Sequence, residues 1–175
     1  LYAKREFGMS PQVITLLVSS FFIAQFAAGP YIGRLSDRYG RVPVLIVSQI
    51  GTAISFVMLA LAGSPIELFA SRILDGITGG NIIAAQAYVT DITPREKRTQ
   101  SLGLIFGAFG LGFIVGPAIG GLLSAVYGES TPFWVAAIAA TLTILLTWRT
   151  LNEALTPEQR EANRRMKKSG LAPLE

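Results

Sequence analysis

Five apolar stretches, at about 11–32, 43–62, 65–90, 94–126 and 132–151, dominate the sequence and constrain what the chain can fold into. Each offers roughly the 20 residues that an α-helix, rising about 1.5 Å per residue, needs to cross ~30 Å of hydrocarbon. Inside a bilayer no water satisfies the backbone, so only helices and closed barrels span it. A barrel strand alternates apolar and polar positions over about 10 residues. These runs are continuous, so helices follow. The expected fold class is all-α, a polytopic transmembrane helical bundle, with the lipid bilayer as its surroundings. Composition agrees: 51% of residues are hydrophobic and 15% charged, and the mean hydropathy is +0.50, too apolar for an ordinary soluble domain.

Start signals sharpen the boundaries. Ser10-Pro11, Ser64-Pro65, Thr93-Pro94 and Thr131-Pro132 each set a capping hydroxyl before a proline, whose missing N–H costs nothing at a first helical position. Ser64-Pro-Ile-Glu67 and Thr93-Pro-Arg-Glu96 read as capping boxes, in which the glutamate reaches back to the cap residue's N–H. Thr156-Pro-Glu-Gln159 repeats the device after the last span and predicts a short charged helix in a linker over 156–175, and the charged run from Glu153 to Lys168 reads as solvated.

The chain contains no cysteine and no histidine. Disulfides, a thiolate nucleophile, a Cys/His zinc site and a histidine proton relay are therefore excluded, and proton chemistry falls to carboxylates. No HExxH motif or persuasive serine dyad is present, so an enzyme is not expected, nor is a metal or cofactor. The net charge of +4 does not point to nucleic acid, because the basic residues alternate with apolar runs instead of clustering on a polar surface. They sort by side of the membrane. Arg34, Arg38, Arg41, Arg95, Lys97, Arg98 and Arg149 fall on one side, joined by the basic residues after the fifth stretch. The opposite connections, 63–65 and 128–131, carry none, although Lys4 and Arg5 dissent. The positive-inside rule then makes the C-terminal tail cytoplasmic and places Leu1 outside. The chain opens on Leu1 without the charged, apolar and small-residue series of a signal peptide, and is expected to be a fragment.

Three segments carry residues that apolar spanning alone does not require. The first is Gly33-Arg-Leu-Ser-Asp37-Arg38-Tyr-Gly40-Arg41, read as a tight turn between membrane helices. Gly40 permits positive φ, Gly33 permits close helix approach, and Asp37 has the charge favoured at another helix's N-terminus. The alternative is a positive-inside loop with a turn glycine. The second is the third stretch, where Arg72, Asp75, Gly76, Gly79, Ile83 and Gln86 share a helix face. An arginine within a membrane costs ~2.5–3.5 kcal/mol on insertion scales, so Arg72 should face a polar cavity or a partner, and Asp75 is one turn away. A self-neutralising structural pair is the competing reading, as is an Arg72 that snorkels outward. Glu67 is accounted for by its capping position. The third is the fourth stretch, with Gly112, Gly116, Pro117, Gly120 and Gly121 among its glycines, a pattern suited to close helix packing and a proline kink. Gln25 is the main amide within the first stretch.

These segments, in this order, resemble signatures of the major facilitator superfamily. Gly33 to Arg41 is similar to the cytoplasmic signature G-x-L-[AS]-D-R-x-G-R-[RK], with Val42 standing where a basic residue is usual. Arg72-Ile-Leu-Asp75-Gly76 resembles the fourth-helix signature R-x-x-[Q]-G, with Asp75 in place of glutamine. Gly112-Phe-Ile-Val-Gly116-Pro117-Ala-Ile-Gly120-Gly121 resembles the fifth-helix signature associated with antiporters. The run from Tyr88 to Arg98 is similar to the corresponding connection of tetracycline-efflux-type and related drug:proton antiporters.

The resemblance implies helices two to six of twelve, that is, five of the six helices of an N-terminal half. The partners it implies are a missing first helix, a C-terminal half, a small-molecule substrate and protons. It implies a conformational latch of Gly33, Asp37, Arg38, Gly40 and Arg41 with Asp91 as Arg41's partner, and a substrate and proton pathway along Arg72, Asp75, Gly76 and Gln25. The expected function is a proton-coupled antiporter exporting small amphipathic drugs or metabolites by alternating access, in a bacterial-type inner or plasma membrane. The alternatives are a symporter or facilitator importing a sugar or other metabolite, and a non-transporting membrane protein whose glycines and arginines serve assembly.

Overall fold

A computed structural model describes residues 2–156 together with 158, 159 and 161. Among these residues the secondary structure is helical: α1 (Tyr2–Phe7), α2 (Pro11–Tyr39), α3 (Arg41–Leu61), α4 (Pro65–Thr78), α5 (Asn81–Ile92), a 3-10 turn (Arg95–Lys97), α6 (Arg98–Tyr127) and α7 (Thr131–Thr150). Four of these segments are long and apolar enough to cross a membrane: Pro11–Tyr39, Arg41–Leu61, Arg95–Tyr127 and Thr131–Thr150. The chain is an integral, multi-pass membrane bundle.

The expected third span, 65–90, is not one helix. It arrives as α4 and α5, separated at Gly79 and Gly80, where the Gly79 N–H bonds back to Gly76 O at 3.2 Å in a tightened turn. Two adjacent glycines lack the side chains that would hold helical register, and a neighbour satisfies a backbone group that the break exposes. Gln25 Nε2 donates to Gly79 O at 3.1 Å. Both segments pack against α2 and α3, so together they occupy the place of a single span.

The first connection is also shorter than expected. The helix predicted over 11–32 continues to Tyr39, and what read as a turn over 33–41 is the end of α2 plus a single non-helical residue, Gly40. Its φ of 113° is accessible to glycine and strained for other residues, and it redirects the chain into α3 at once.

The caps divide. Ser10 Oγ accepts from Val13 N–H and Ser64 Oγ from Glu67 N–H, each at 3.4 Å. Glu67 Oε2 reaches one residue further back than a capping box requires, to the Gly63 N–H at 2.7 Å. The box expected at Thr93 and Glu96 is replaced by the 3-10 turn, which lacks a side-chain cap. Thr131 is the first residue of α7 instead of its cap, and its hydroxyl donates to Tyr127 O at 3.0 Å. Thr156 and Gln159 do form the reciprocal pair, at 2.9 and 3.2 Å. The remainder of the predicted charged helix lies outside the described residues.

α3 packs on α7, α4, α5 and α2, and α2 packs extensively on α4. α1, which hydropathy alone did not mark, closes the end away from Arg41. Ala3 and Met9 join Leu17, Leu59 and Leu68 in a buried apolar cluster. Tyr2 meets the rings of Phe7 and Phe133 edge-on at 5.7 and 5.1 Å and donates to Ala62 O at 3.4 Å. Burial, with Glu6 and then Glu129 adding to it, raises the Tyr2 phenol above its ordinary pKa and keeps it a neutral donor. Arg5 pairs with Glu129 at 2.5 Å across the same end.

Candidate functional site

Polar and charged groups collect at two levels of the bundle, one at the α2–α3 junction and one midway along α4.

At the junction the guanidinium of Arg41 holds two carboxylates. Its Nη1 lies 2.6 Å from Asp37 Oδ1 at the end of α2, and its Nε donates to Asp91 Oδ2 at 2.8 Å near the end of α5. Nη1 also donates to the fully buried Ser36 Oγ at 3.3 Å. Only 12% of the Arg41 side chain is exposed, so water screens these contacts far less than it screens a surface pair. The pairing of Arg41 with Asp91 expected from the sequence is present. Arg38 stacks its guanidinium over the Tyr39 ring, 5.3 Å from the centroid. Gly33 is approached by Ile83 of α5, whose Cγ2 would lie 3.9 Å from a Cβ at that position.

The N-terminus of α3 is occupied by the carboxylate of Glu153, one of the charged residues that the sequence placed in a solvated linker. Glu153 Oε1 accepts from the Arg41 N–H at 2.8 Å, and Oε2 accepts from the Val42 N–H at 3.2 Å. These are orphan donors of α3, and the negative charge suits the positive end of the helix dipole. Oε1 also accepts from the Leu155 N–H at 3.1 Å, which curls the chain leaving α7 around its own carboxylate. Gly40 leaves the space for it: a Cβ there would overlap Glu153 Oε2 and sit 2.8 Å from its Cδ. Val42, which stands where the resembling signature usually has a basic residue, is buried.

The second level is built on α4, which is wedged between α2 and α3. Arg72 Nη1 donates to Asp75 Oδ2 at 3.4 Å, a long contact, and the Asp75 side chain is 9% exposed. On the α3 side, the hydroxyl-bearing Thr52 and Ser55 lie beside the Asp75 carboxylate. Ser55 Oγ donates to Thr52 O at 2.9 Å, and Thr52 Oγ1 is buried outside hydrogen-bonding geometry. One turn along α3, Gln49 Nε2 donates to Thr147 Oγ1 of α7 at 3.1 Å, so a polar seam runs from Asp75 through α3 to α7. Gly76 faces the other way, into α2. A Cβ there would overlap Phe21 O and come within 2.7 Å of Ala24 Cβ. Arg72, Asp75, Gly76 and Gln25 are therefore close together but point into two seams. Asp75 faces α3, while Gly76 and the Gln25 contact with Gly79 lie against α2.

The α6 glycines behave differently. A Cβ at Gly112, Gly116, Gly120 or Gly121 would meet nothing within 4 Å, and α6 has no buried residue. Ile105, Ala108, Phe109, Gly112, Phe113 and Pro117 line an open apolar hollow on this helix. None of the described helices occupies the close approach that the glycine spacing permits.

The sequence profile of the Major Facilitator Superfamily matches residues 1–174. Tetracycline resistance protein, class C, of Escherichia coli is 39% identical over 145 residues, which cover 83% of this chain and 36% of that protein. Multidrug resistance protein 1 of Bacillus subtilis (strain 168) is 33% identical over 163 residues, covering 93% of this chain and 41% of that one. The crystal structure of the human organic anion transporter MFSD10 (TETRAN) superposes with a TM-score of 0.77 at 31% identity, over 91% of this chain and 38% of that chain. The proton:xylose symporter XylE superposes with a TM-score of 0.78 at 20% identity, over 94% of this chain and 43% of that chain, a likeness of fold alone. The chain thus spans well under half the length of these relatives.

Proposed function

Because the chain belongs to the major facilitator superfamily, a family of membrane transporters, we propose that it forms part of a proton-coupled antiporter that exports small amphipathic compounds by alternating access. In this reading α2, α3, α4 with α5, α6 and α7 are helices two to six of twelve. The Arg41 end faces the cytoplasm, in accord with the lysine and arginine bias of its connections. Substrate binds between this bundle and a second half near the midplane.

The observation that carries the proposal is Asp75. A carboxylate buried in a membrane-embedded helix, held by Arg72 through a long 3.4 Å contact and flanked by Thr52 and Ser55, is arranged to exchange a proton. When Asp75 is ionised, Arg72 compensates its charge. When it is protonated, Arg72 is released to a different partner. Protonation thereby becomes a change in contacts that two conformations can weigh differently. Export as the direction rests on the antiporter-type run Gly112 to Gly121 and on the likeness to tetracycline and multidrug resistance proteins.

The Arg41 cluster supplies a latch. Asp37, Arg41 and Asp91 close one end of the bundle in the outward-facing state, and rearrange when that end opens. The open apolar face of α6 is where the second half packs. The test is transport by the intact protein in proteoliposomes carrying an imposed pH gradient, with tetracycline as the first probe. Antiport moves substrate against the direction of proton flow. Movement of substrate together with protons favours the importing symporter instead, and transport indifferent to the gradient favours a facilitator.

A further inference from the structure

The Arg41 latch is only as well placed as the first turn of α3, and that turn is held from an unexpected direction. Its first two N–H groups are those of Arg41 and Val42, and both donate to Glu153, which follows α7 by a few residues. The backbone that Glu153 grips is therefore that of the residue whose side chain bridges Asp37 and Asp91. Gly40, immediately before it, has positive φ and leaves the volume that the Glu153 carboxylate fills. Three features of one small region converge: a helix start turned sharply by a glycine, a charged acceptor on the exposed amides, and a bridging arginine at the same position.

We propose that Glu153 is the positioning residue of the latch. It fixes the start of α3 so that the Arg41 guanidinium stands between Asp37 and Asp91, and it ties the chain leaving α7 to that geometry. The coupling is mechanical and local. If Glu153 leaves the α3 amides, the first turn of α3 loses its acceptor, Arg41 loses its fixed origin, and the 2.8 Å contact to Asp91 loosens with it. Movement of the segment after α7 is thereby transmitted to the latch. This inference rests on the latch reading of Asp37, Arg41 and Asp91.

The test uses the intact transporter, with any cysteine outside residues 1–175 first replaced by serine, and a reporter cysteine, Leu104→Cys, on the exposed face of α6 near its Arg98 end; residues 1–175 themselves contain no cysteine. The rate of maleimide labelling reads how often that end of the protein is open. Asp91→Asn and Glu153→Ala are each expected to raise the rate several-fold, and the double variant to raise it no further than one of them alone. Glu153→Gln, which keeps one acceptor oxygen and loses the charge, is expected to fall between. Hydrogen exchange at the Arg41 and Val42 amides should quicken in both Glu153 variants and not in Asp91→Asn. If Asp91→Asn opens that end and Glu153→Ala does not, the positioning role is wrong and the latch stands. If the two effects add, Glu153 acts independently of Arg41 and the proposal is overturned. If Asp91→Asn changes nothing, the latch reading fails and this inference falls with it. Should Glu153→Ala not fold, the labelling rate and amide exchange of Glu153→Gln decide the matter by the same criteria.

Discussion

Arg41 Nε meets Asp91 Oδ2 at 2.8 Å across 50 residues of sequence, joining the α2–α3 junction to the end of α5. The same guanidinium reaches Asp37 with a second nitrogen. A planar fork can satisfy two carboxylates at once, whereas a lysine ammonium is a compact point charge on a flexible stem. Arg41→Lys in the intact transporter is therefore expected to lose most transport while remaining folded and inserted. Transport rate normalised to membrane expression checks this. Because Asp91 and Asp37 are part exposed, the stability loss should lie between the ~1 kcal/mol of an exposed pair and the ~3–5 kcal/mol of a buried one.

Gly40→Ala brings two penalties together. The residue has a φ of 113°, and the added Cβ would overlap the Glu153 carboxylate. Backbone strain of this kind costs on the order of 1–3 kcal/mol before the lost cap is counted. The purified transporter should melt several degrees lower in a thermal-shift measurement, and an unchanged melting temperature would contradict the described geometry.

Gly76 and Gly112 make a matched comparison. A methyl at Gly76 collides with Phe21 O and Ala24 Cβ, so Gly76→Ala must push α4 away from α2 and lower both stability and activity. A methyl at Gly112 meets nothing within 4 Å among the described residues. Gly112→Ala is expected to leave these helices as stable as before and to act on transport alone, through whatever packs on α6. Melting temperature and transport rate, measured on both variants, separate the two cases.

Arg5 and Glu129 pair at the other end, yet the Arg5 side chain is 58% exposed. Contacts of this kind are screened by water and salt and contribute less than about 1 kcal/mol. Arg5→Ala should shift the melting temperature by little, and by still less at high salt.

The helices were legible because continuous apolar runs of membrane length leave few alternatives, and the Arg41–Asp91 pairing was legible through the family resemblance of the two separate segments that hold them, Gly33 to Arg41 and Tyr88 to Arg98. What escaped the sequence depends on distant neighbours. The break at Gly79 and Gly80 looked like ordinary small residues in a membrane helix, since the Gln25 amide that supports it lies 54 residues earlier. Glu153 looked like one charge among many in a linker, because the amides it binds are 112 and 111 residues before it. α1 carries too few apolar residues for hydropathy to find it, and its role comes from rings and a carbonyl contributed by other elements. The α6 glycines have spacings that permit close helix packing, but no described helix comes close enough to use them.

The most direct test of the central claim is proton release from the purified intact transporter when substrate is added, read with a pH indicator in weakly buffered detergent solution. Tetracycline, or another amphipathic compound found to bind, is expected to release protons from the wild type. Asp75→Asn, which cannot ionise, is expected to bind the compound without releasing them. Proton uptake by the wild type, or release undiminished in Asp75→Asn, would contradict the assignment of Asp75 as the proton-exchanging group of an exporter.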